Sequence, residues 1–236
     1  MKARHWLLIA VIYIGQAGAT EPPIPFPSWY LGFVAPDYMD VWLETADVTD
    51  IRGGLHAEVM QGVVSIWQPE DGTGDPTRAL GPYILGKGIS QFTELPQRLF
   101  VRWQSLAEPQ TYRATVEIPE SARELMRKRE RVNCPITGWT DEYRDTLAVM
   151  LAPGGIVKVW VSGSCFPAIP VARVQAEVEP LGPYGGKSGG RYRPLEPAAK
   201  AYLEKHGIPY VPGELRLLSA EGSDGLRHLK ATTIPE

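Results

Sequence analysis

The chain has 236 residues, of which 44% are hydrophobic, and this is enough for one domain with its own hydrophobic core. Its 24 glycines and 22 prolines are too few for a disordered chain but favour short strands joined by many turns. A formal charge of −3 excludes a strongly basic nucleic-acid-binding protein, so no nucleic-acid partner is expected.

The first 19 residues are typical of a secretory signal peptide. Lys2 and Arg4 provide positive charge, residues 6–14 are apolar, and small residues before Thr20 allow cleavage after Ala19. An uncleaved anchor is the alternative, but the apolar stretch is short for a bilayer span, so no stable membrane insertion is expected after cleavage. No Cys follows the cleavage site to carry a lipid, and we therefore expect a soluble periplasmic protein with a formal charge of −5.

Residues 20–236 are expected to form a single domain. Residues 20–28 contain four prolines and predict an extended leader. Runs of β-branched and aromatic residues predict the first strands. These runs are residues 29–34, 41–48, 62–67, 99–103 and 112–118. Beyond about residue 212 the chain is polar and bears glycine, so we expect a loosely held tail.

Residues 145–180 predict the centre of the sheet. Two apolar runs flank Pro153-Gly154-Gly155, and a third run at 171–178 alternates apolar with polar residues, which together indicate an antiparallel three-stranded meander. Residues 119–131 predict one helix, with Ser121 and Glu124 as a capping box, and residues 197–206 predict a second that ends before Gly207. The expected fold class is mainly β (α+β), an antiparallel sheet or sandwich with two peripheral helices.

Cys134 and Cys165 are the two cysteines of the chain. In an exported protein such a pair is typical of one disulfide, because the compartment is oxidising. We therefore predict a bond between them, with Cα atoms within about 7 Å, that ties the segment before the central hairpin to the loop after it. A nucleophilic cysteine is the weaker interpretation, since neither has a His nearby in sequence.

No complete catalytic motif is found. His228 and Lys230 resemble the start of a phospholipase D signature, but Pro235 occupies the position where that chemistry needs Asp. His56 and His206 also lack partners at the spacing of a metal site or a catalytic triad. We therefore expect no catalytic residues.

An acidic stretch at residues 70–75 alternates carboxylates with glycines. Asp71 and Asp75 would offer oxygen ligands to calcium, although the terminal Glu of the twelve-residue calcium loop is absent. An ordinary turn is the alternative interpretation. No other metal or cofactor is expected.

The glycine-rich segment, residues 181–193, is the candidate partner-binding region. The match of its Gly-Lys-Ser to a phosphate-binding loop fails, because Leu181 stands where the first Gly belongs. Its glycines allow close approach of a partner, and Tyr184, Lys187, Arg191 and Tyr192 add aromatic and cationic groups that are enriched at interfaces. The alternative is that the glycines only serve a tight turn packed on the sheet.

Three segments carry a resemblance to a known family. VRWQSLAEPQTYR (101–113), LAPGGIV (151–157) and LGPYGGKSGGRY (181–192) resemble a bacterial family of uncharacterised exported proteins, often described as lipoproteins, over roughly residues 29–210. Members frequently lie beside type VI secretion effector genes, and the chain is most similar to periplasmic immunity proteins that neutralise phospholipase D effectors. This chain departs from the lipoprotein pattern because it lacks the lipid-bearing Cys.

The resemblance implies a non-enzymatic inhibitor whose partner is a secreted phospholipase and which protects the membrane of the producing cell. Two alternatives stay open. One is a periplasmic enzyme, which would need a polar pocket with perturbed acids. The other is a ligand- or envelope-binding module, for which exposed aromatic side chains around Trp29 and Trp103 would be the signal.

Overall fold

The computed structural model describes residues 22–64, 90–135 and 137–207. The predicted signal peptide, the acidic stretch with Asp71 and Asp75, and the tail from residue 212 lie outside the described residues. In the proline-rich leader, the described residues 22–28 form bends, and Ile24 and Phe26 pack against the core.

Strands dominate the described residues, and the predicted mainly β fold class is confirmed. The strands are β1 Trp29–Val34, β2 Val41–Asp50, β3 Leu55–His56, β4 Gly62–Val64, β5 Ser90–Phe92, β6 Pro96–Ser105, β7 Gln110–Glu117, β8 Glu130–Cys134, β9 Gly138–Glu142, β10 Thr146–Ala152, β11 Ile156–Gly163, β12 Phe166–Gln175 and β13 Glu177–Val178. The helices are α1 Glu120–Arg127 and α2 Pro197–Lys205, and short 3-10 turns lie at Pro153–Gly155 and Pro183–Gly186.

The first sheet has five strands in the order β12-β11-β10-β1-β5. Its β10-β11-β12 portion is the predicted antiparallel meander. The third strand begins earlier than expected, at Phe166, and includes Pro167 and Pro170. Both prolines are tolerated because β12 is an edge strand, where a missing backbone donor breaks no ladder. The alternation pattern did not reveal that β1 pairs with β10 in parallel.

The second sheet has six strands, β13-β7-β6-β2-β3 with β4 also pairing with β2. The inward side chains of both sheets form one hydrophobic core. Its largest members include Trp29, Leu31, Phe33, Leu43, Leu99, Trp103, Leu147 and Leu151. Trp29 and Trp103 are fully buried, so the exposed aromatic surface expected for a ligand- or envelope-binding module is not found at these positions.

A buried carboxylate holds the turn of the central hairpin. Glu108 lies in the connection between β6 and β7, and Gly154 N–H donates to both of its carboxylate oxygens, at 2.8 and 3.1 Å. The Tyr112 hydroxyl also donates to Glu108. Gly155 has φ +74°, and a Cβ there would lie 2.8 Å from the Tyr112 ring, so only glycine fits. The turn therefore joins the two sheets through hydrogen bonds rather than acting as a free loop.

Residues 128–131, predicted to continue the first helix, instead leave it and enter a strand. Helix α1 ends at Arg127, has no side-chain cap, and is followed by β8, which pairs only with β9 among the described strands. Glu130 accepts from Arg144 at 3.3 Å and from Lys128 at 2.8 Å, which fixes the start of β8. Residues 127–131 are therefore divided between the end of α1, a two-residue connection and the start of β8.

Helix α2 is confirmed within one residue and closes a second, smaller core. Tyr202 stacks on Tyr38 with ring centroids 3.9 Å apart, and Leu203 is fully buried beside it. Ala198, in the first turn of the helix, is exposed. Gly207 follows the helix with φ +61°, the left-handed conformation typical of a helix C-terminus.

Candidate functional site

A β-bulge in β2 creates the anchor for the glycine-rich segment. Leu43 pairs with Trp103 and Thr45 with Arg102, so Glu44 is the extra residue between them. Its carboxylate is fully buried and accepts hydrogen bonds from Arg102 Nε at 2.7 Å and Gln104 Nε2 at 2.9 Å. A third donor completes the set and belongs to the glycine-rich segment.

That third donor is the backbone N–H of Tyr184, which lies 2.8 Å from Glu44 Oε1. Gln104, itself buried, accepts from Arg193 N at 3.0 Å. The two ends of the loop are therefore both hydrogen-bonded to the outer side of β2 and β6. A buried carboxylate bound by a charged donor is a strong acceptor, so the attachment is firm.

An arginine–tryptophan stack closes the second end of the segment. Arg193 Cζ lies 3.4 Å from the ring centroid of Trp42, a cation–π contact on the outer face of β2. Arg193 Nε also lies 3.4 Å from the Tyr184 hydroxyl, which links the two ends to each other. The segment between them is thereby held at both ends.

The backbone between the anchors uses conformations that few residues other than glycine adopt. Tyr184 has φ +55°, although it carries a side chain. A Cβ on Gly186 would meet Leu181 O at 3.3 Å, so glycine is also favoured here by the close approach of the backbone. The segment is a defined series of turns.

The four residues predicted to bind a partner lie together in this segment. Lys187 and Arg191 are exposed, whereas Tyr184 and Tyr192 are half-buried. Neither cation has an ion-pair partner among the described residues. The arrangement places two free cations on a loop that is anchored at both ends.

A groove lies on the same side of the sheet. It has a volume of about 490 Å³ and is lined by residues of β6, β7, β12 and β13 and by the residue after β13: Phe100, Arg102, Arg113, Ala114, Thr115, Val174, Gln175, Glu177 and Glu179. Arg102 and Arg113 are direct cross-strand partners. Two like charges so placed repel each other, and the repulsion is offset by acids on either side.

Those acids tie the groove to the glycine-rich segment. Arg113 Nη1 lies 3.4 Å from Glu179 Oε2, and the other oxygen of Glu179 accepts the backbone N–H of Leu181 at 3.2 Å. Arg102 is paired with Glu44, which holds Tyr184. Each arginine of the groove therefore shares its carboxylate with the glycine-rich segment, and the two features form one site.

Sequence reasoning missed the part of this site that lies on the sheet. Phe100, Arg102 and Arg113 occupy outward positions of alternating strands, which usually indicate nothing more than a solvent-facing side. Glu44 was also missed, because a bulge shifts the alternation by one residue without a local signal. The signal that could have revealed this part of the site is the pair Arg102 and Arg113, which are charged residues at outward positions of two neighbouring predicted strands.

Asp40, before β2, is a buried acid with a perturbed pKa. Burial raises the pKa of its carboxyl to about 6, helped by the negative charges of Glu196 and Asp37. Its Oδ1 is buried without a hydrogen-bond partner. Asp40 is not among the residues that line the groove.

His56 differs from the sequence expectation, because it has a carboxylate partner. Its Nε2 lies 3.0 Å from Asp50 Oδ2. Burial acts to raise the pKa of Asp50, but the hydrogen bonds from His56 and from the N–H groups of Gly54 and Arg52 outweigh it and lower the pKa. Asp50 organises a tight turn, which is a structural role. Within residues 22–64, 90–135 and 137–207 no cluster of three or more potential metal ligands occurs.

The predicted disulfide between Cys134 and Cys165 is confirmed, with Cα atoms 5.1 Å apart. It joins the end of β8 to the turn between β11 and β12. A disulfide is consistent with an oxidising compartment. Neither helix in the part of the chain that the structure describes has the length and apolar character needed to cross a bilayer.

Comparison with known proteins finds one family. The family model described as "Protein of unknown function (DUF2931)" matches residues 16–211, which include both sheets, the groove and the glycine-rich segment. No curated protein and no solved structure matches the chain.

Proposed function

The chain belongs to the DUF2931 family of proteins of unknown function, and we propose that it is a non-catalytic inhibitor that binds a secreted effector protein. The observation that carries the proposal is the glycine-rich segment, which is anchored at both ends and carries the exposed cations Lys187 and Arg191. A loop held in one conformation loses little conformational entropy when it binds, so more of the contact energy appears as affinity.

The effector class is proposed from the family resemblance of the sequence. Segments 101–113, 151–157 and 181–192 resemble periplasmic immunity proteins of type VI secretion phospholipase D effectors. In this proposal the protein acts in the periplasm and covers the entrance of the effector's active site, so that phospholipids of the producing cell are not hydrolysed.

The sharing of acids between groove and loop supports this assignment of the surface. Glu44 and Glu179 each bind one groove arginine and one backbone N–H of the segment. A surface built in this way presents cationic and aromatic groups at fixed positions, as interface centres do. It requires no nucleophile or general base.

The test is a direct binding and inhibition assay with a type VI secretion phospholipase D effector from the same genome. Wild-type protein should co-purify with the effector and suppress its hydrolysis of phospholipid vesicles. The variant carrying Lys187→Ala and Arg191→Ala should bind at least about tenfold more weakly, with an unchanged melting temperature, because both side chains are exposed.

Arg129→Ala is the matched control, since Arg129 is an exposed cation that lies between α1 and β8, outside the groove and the loop. It should bind like wild type. Unchanged affinity in the well-folded double variant would remove the segment from the interface. Absence of any complex between wild-type protein and effector would refute the proposed function itself.

A periplasmic enzyme is the second candidate, and the perturbed carboxyl of Asp40 is the observation that favours it. The proposed inhibitor should not hydrolyse phospholipids or generic esters. Turnover that persists through orthogonal purification and disappears in Asp40→Asn would favour the enzyme instead.

A further inference from the structure

Five cationic side chains lie on the outer side of the six-stranded sheet. The cationic face comprises Arg102 and Arg113 in the groove and Lys187, Arg191 and Arg193 in the glycine-rich segment. The side chains of Arg102 and Arg113 are 28% and 42% exposed, and the three cations of the segment are exposed. Five positive groups therefore reach solvent on one side of a protein whose formal net charge is negative.

Two of the three acids paired with the groove arginines lie beneath them. The side chain of Glu44 is 0% exposed and that of Glu179 is 6% exposed, so both act from below on the arginines. Glu177, at 76%, is the carboxylate of the groove lining that is well exposed. These carboxylates orient the guanidinium groups through charged hydrogen bonds. The unbalanced positive charge of the face comes from the glycine-rich segment, which contains three cations and no acid.

The shape of the cationic face suits an extended peptide segment as partner better than a flat partner surface. The groove of about 490 Å³ runs beside β7, whose residues 114–117 pair with β6 and with no other described strand. Phe100 lies half-buried in its floor and offers an apolar contact between the charges. A chain with acidic side chains on one side would place carboxylates against the arginines and its backbone against the glycines.

We infer that the cationic face binds an extended acidic segment of a partner protein, with the carboxylates directed at Arg102, Arg113 and the cations of the glycine-rich segment. The identity of the partner rests on the proposed function, whereas the acidic chemistry of the bound segment rests on the cationic face alone. Opposite charge on the two surfaces accelerates association and makes it sensitive to salt.

The test uses a fluorescein-labelled twelve-residue peptide of alternating glutamate and glycine, with a lysine–glycine peptide of equal length as control. Fluorescence anisotropy should show that wild-type protein binds the acidic peptide and not the basic one, and that binding weakens as salt rises. Lys187→Glu with Arg191→Glu should reduce affinity for the acidic peptide about tenfold or more. Arg129→Glu, outside the cationic face, should leave it unchanged.

Equal binding by wild type and the double variant, or an equal loss in Arg129→Glu, would overturn the inference. So would binding of wild-type protein to phosphatidylglycerol vesicles but not to the acidic peptide, because the face would then recognise a lipid surface. The peptide assay contains no effector. If the peptide binds as expected and the effector does not, the phospholipase partner is wrong and the acidic ligand class stands. If the effector binds with an affinity that the charge reversals do not change, the inhibitor stands and this inference fails.

Discussion

Replacing the buried carboxyl of Asp40 should change how stability depends on pH. A pKa raised from 3.8 to about 6 means that the folded protein keeps a proton that the unfolded chain has already lost. Stability therefore falls as the pH rises from about 4 to 6, and the full cost, about 3 kcal/mol, remains at neutral pH. Asp40→Asn removes this charge and with it the pH-dependent cost.

The measurement is urea unfolding of wild type and Asp40→Asn between pH 3.5 and 7.5, followed by tryptophan fluorescence. The difference in the free energy of unfolding should shift by about 3 kcal/mol in favour of the variant across this range. Groups that do not interact with Asp40 cancel in the comparison, including Asp145, whose pKa is also raised by burial. Asp141→Asn, on the exposed side of β9, is the control. A difference that stays constant with pH would refute the reasoning.

Three further predictions concern the scaffold. Reduction of the Cys134–Cys165 bond should lower the free energy of unfolding by about 3–4 kcal/mol, because it releases a loop closed over 31 residues. Thiol counting on the unfolded, unreduced protein should find no free thiol, and two free thiols would contradict the bond. Gly155→Ala should lower the free energy of unfolding by at least about 2 kcal/mol, because its Cβ would meet the Tyr112 ring. Gly53→Ala, also at positive φ but in open space, should lower it by about 1 kcal/mol, and equal losses would contradict the packing argument. Glu44→Gln should speed hydrogen exchange in residues 182–193 before it changes the rest of the sheet, and unchanged exchange there would remove this residue as the anchor.

Local patterns predicted the parts of the fold in which neighbours in sequence are neighbours in space. The β10–β11 hairpin followed from apolar alternation around Pro153–Gly155, and α2 followed from its start at Pro197 and the glycine after its end. The disulfide followed from the presence of two cysteines in a chain with a predicted signal peptide. The hairpin and the helix are each specified by a few adjacent residues, and the disulfide is specified by the presence of two cysteines.

Long-range pairings were not available from the same reasoning. The sequence predicts that residues 128–131 are helical, because they are strong helix formers. Pairing with β9 and the disulfide at Cys134 override that propensity. Only the part of the site that lies in one local segment could be predicted, for a similar reason. Lys187 and Arg191 stand in one local segment, whereas Arg102 and Glu44 join it only once β2 and β6 are paired and the segment is laid across them.

The parallel pairing of β1 with β10 has a consequence for the order in which the chain acquires its structure. Tyr30 pairs with Thr146, so this side of the first strand waits for a partner that is synthesised much later. Contacts of such high sequence separation are slow to form, because a long loop must close before they contribute any stability. Until β10 is synthesised, β1 has the three-residue strand β5 as its partner among the described strands, so its apolar residues Leu31 and Phe33 are less protected from proteases and from aggregation. A chain that ends before Thr146 should therefore be degraded rather than fold as a smaller sandwich.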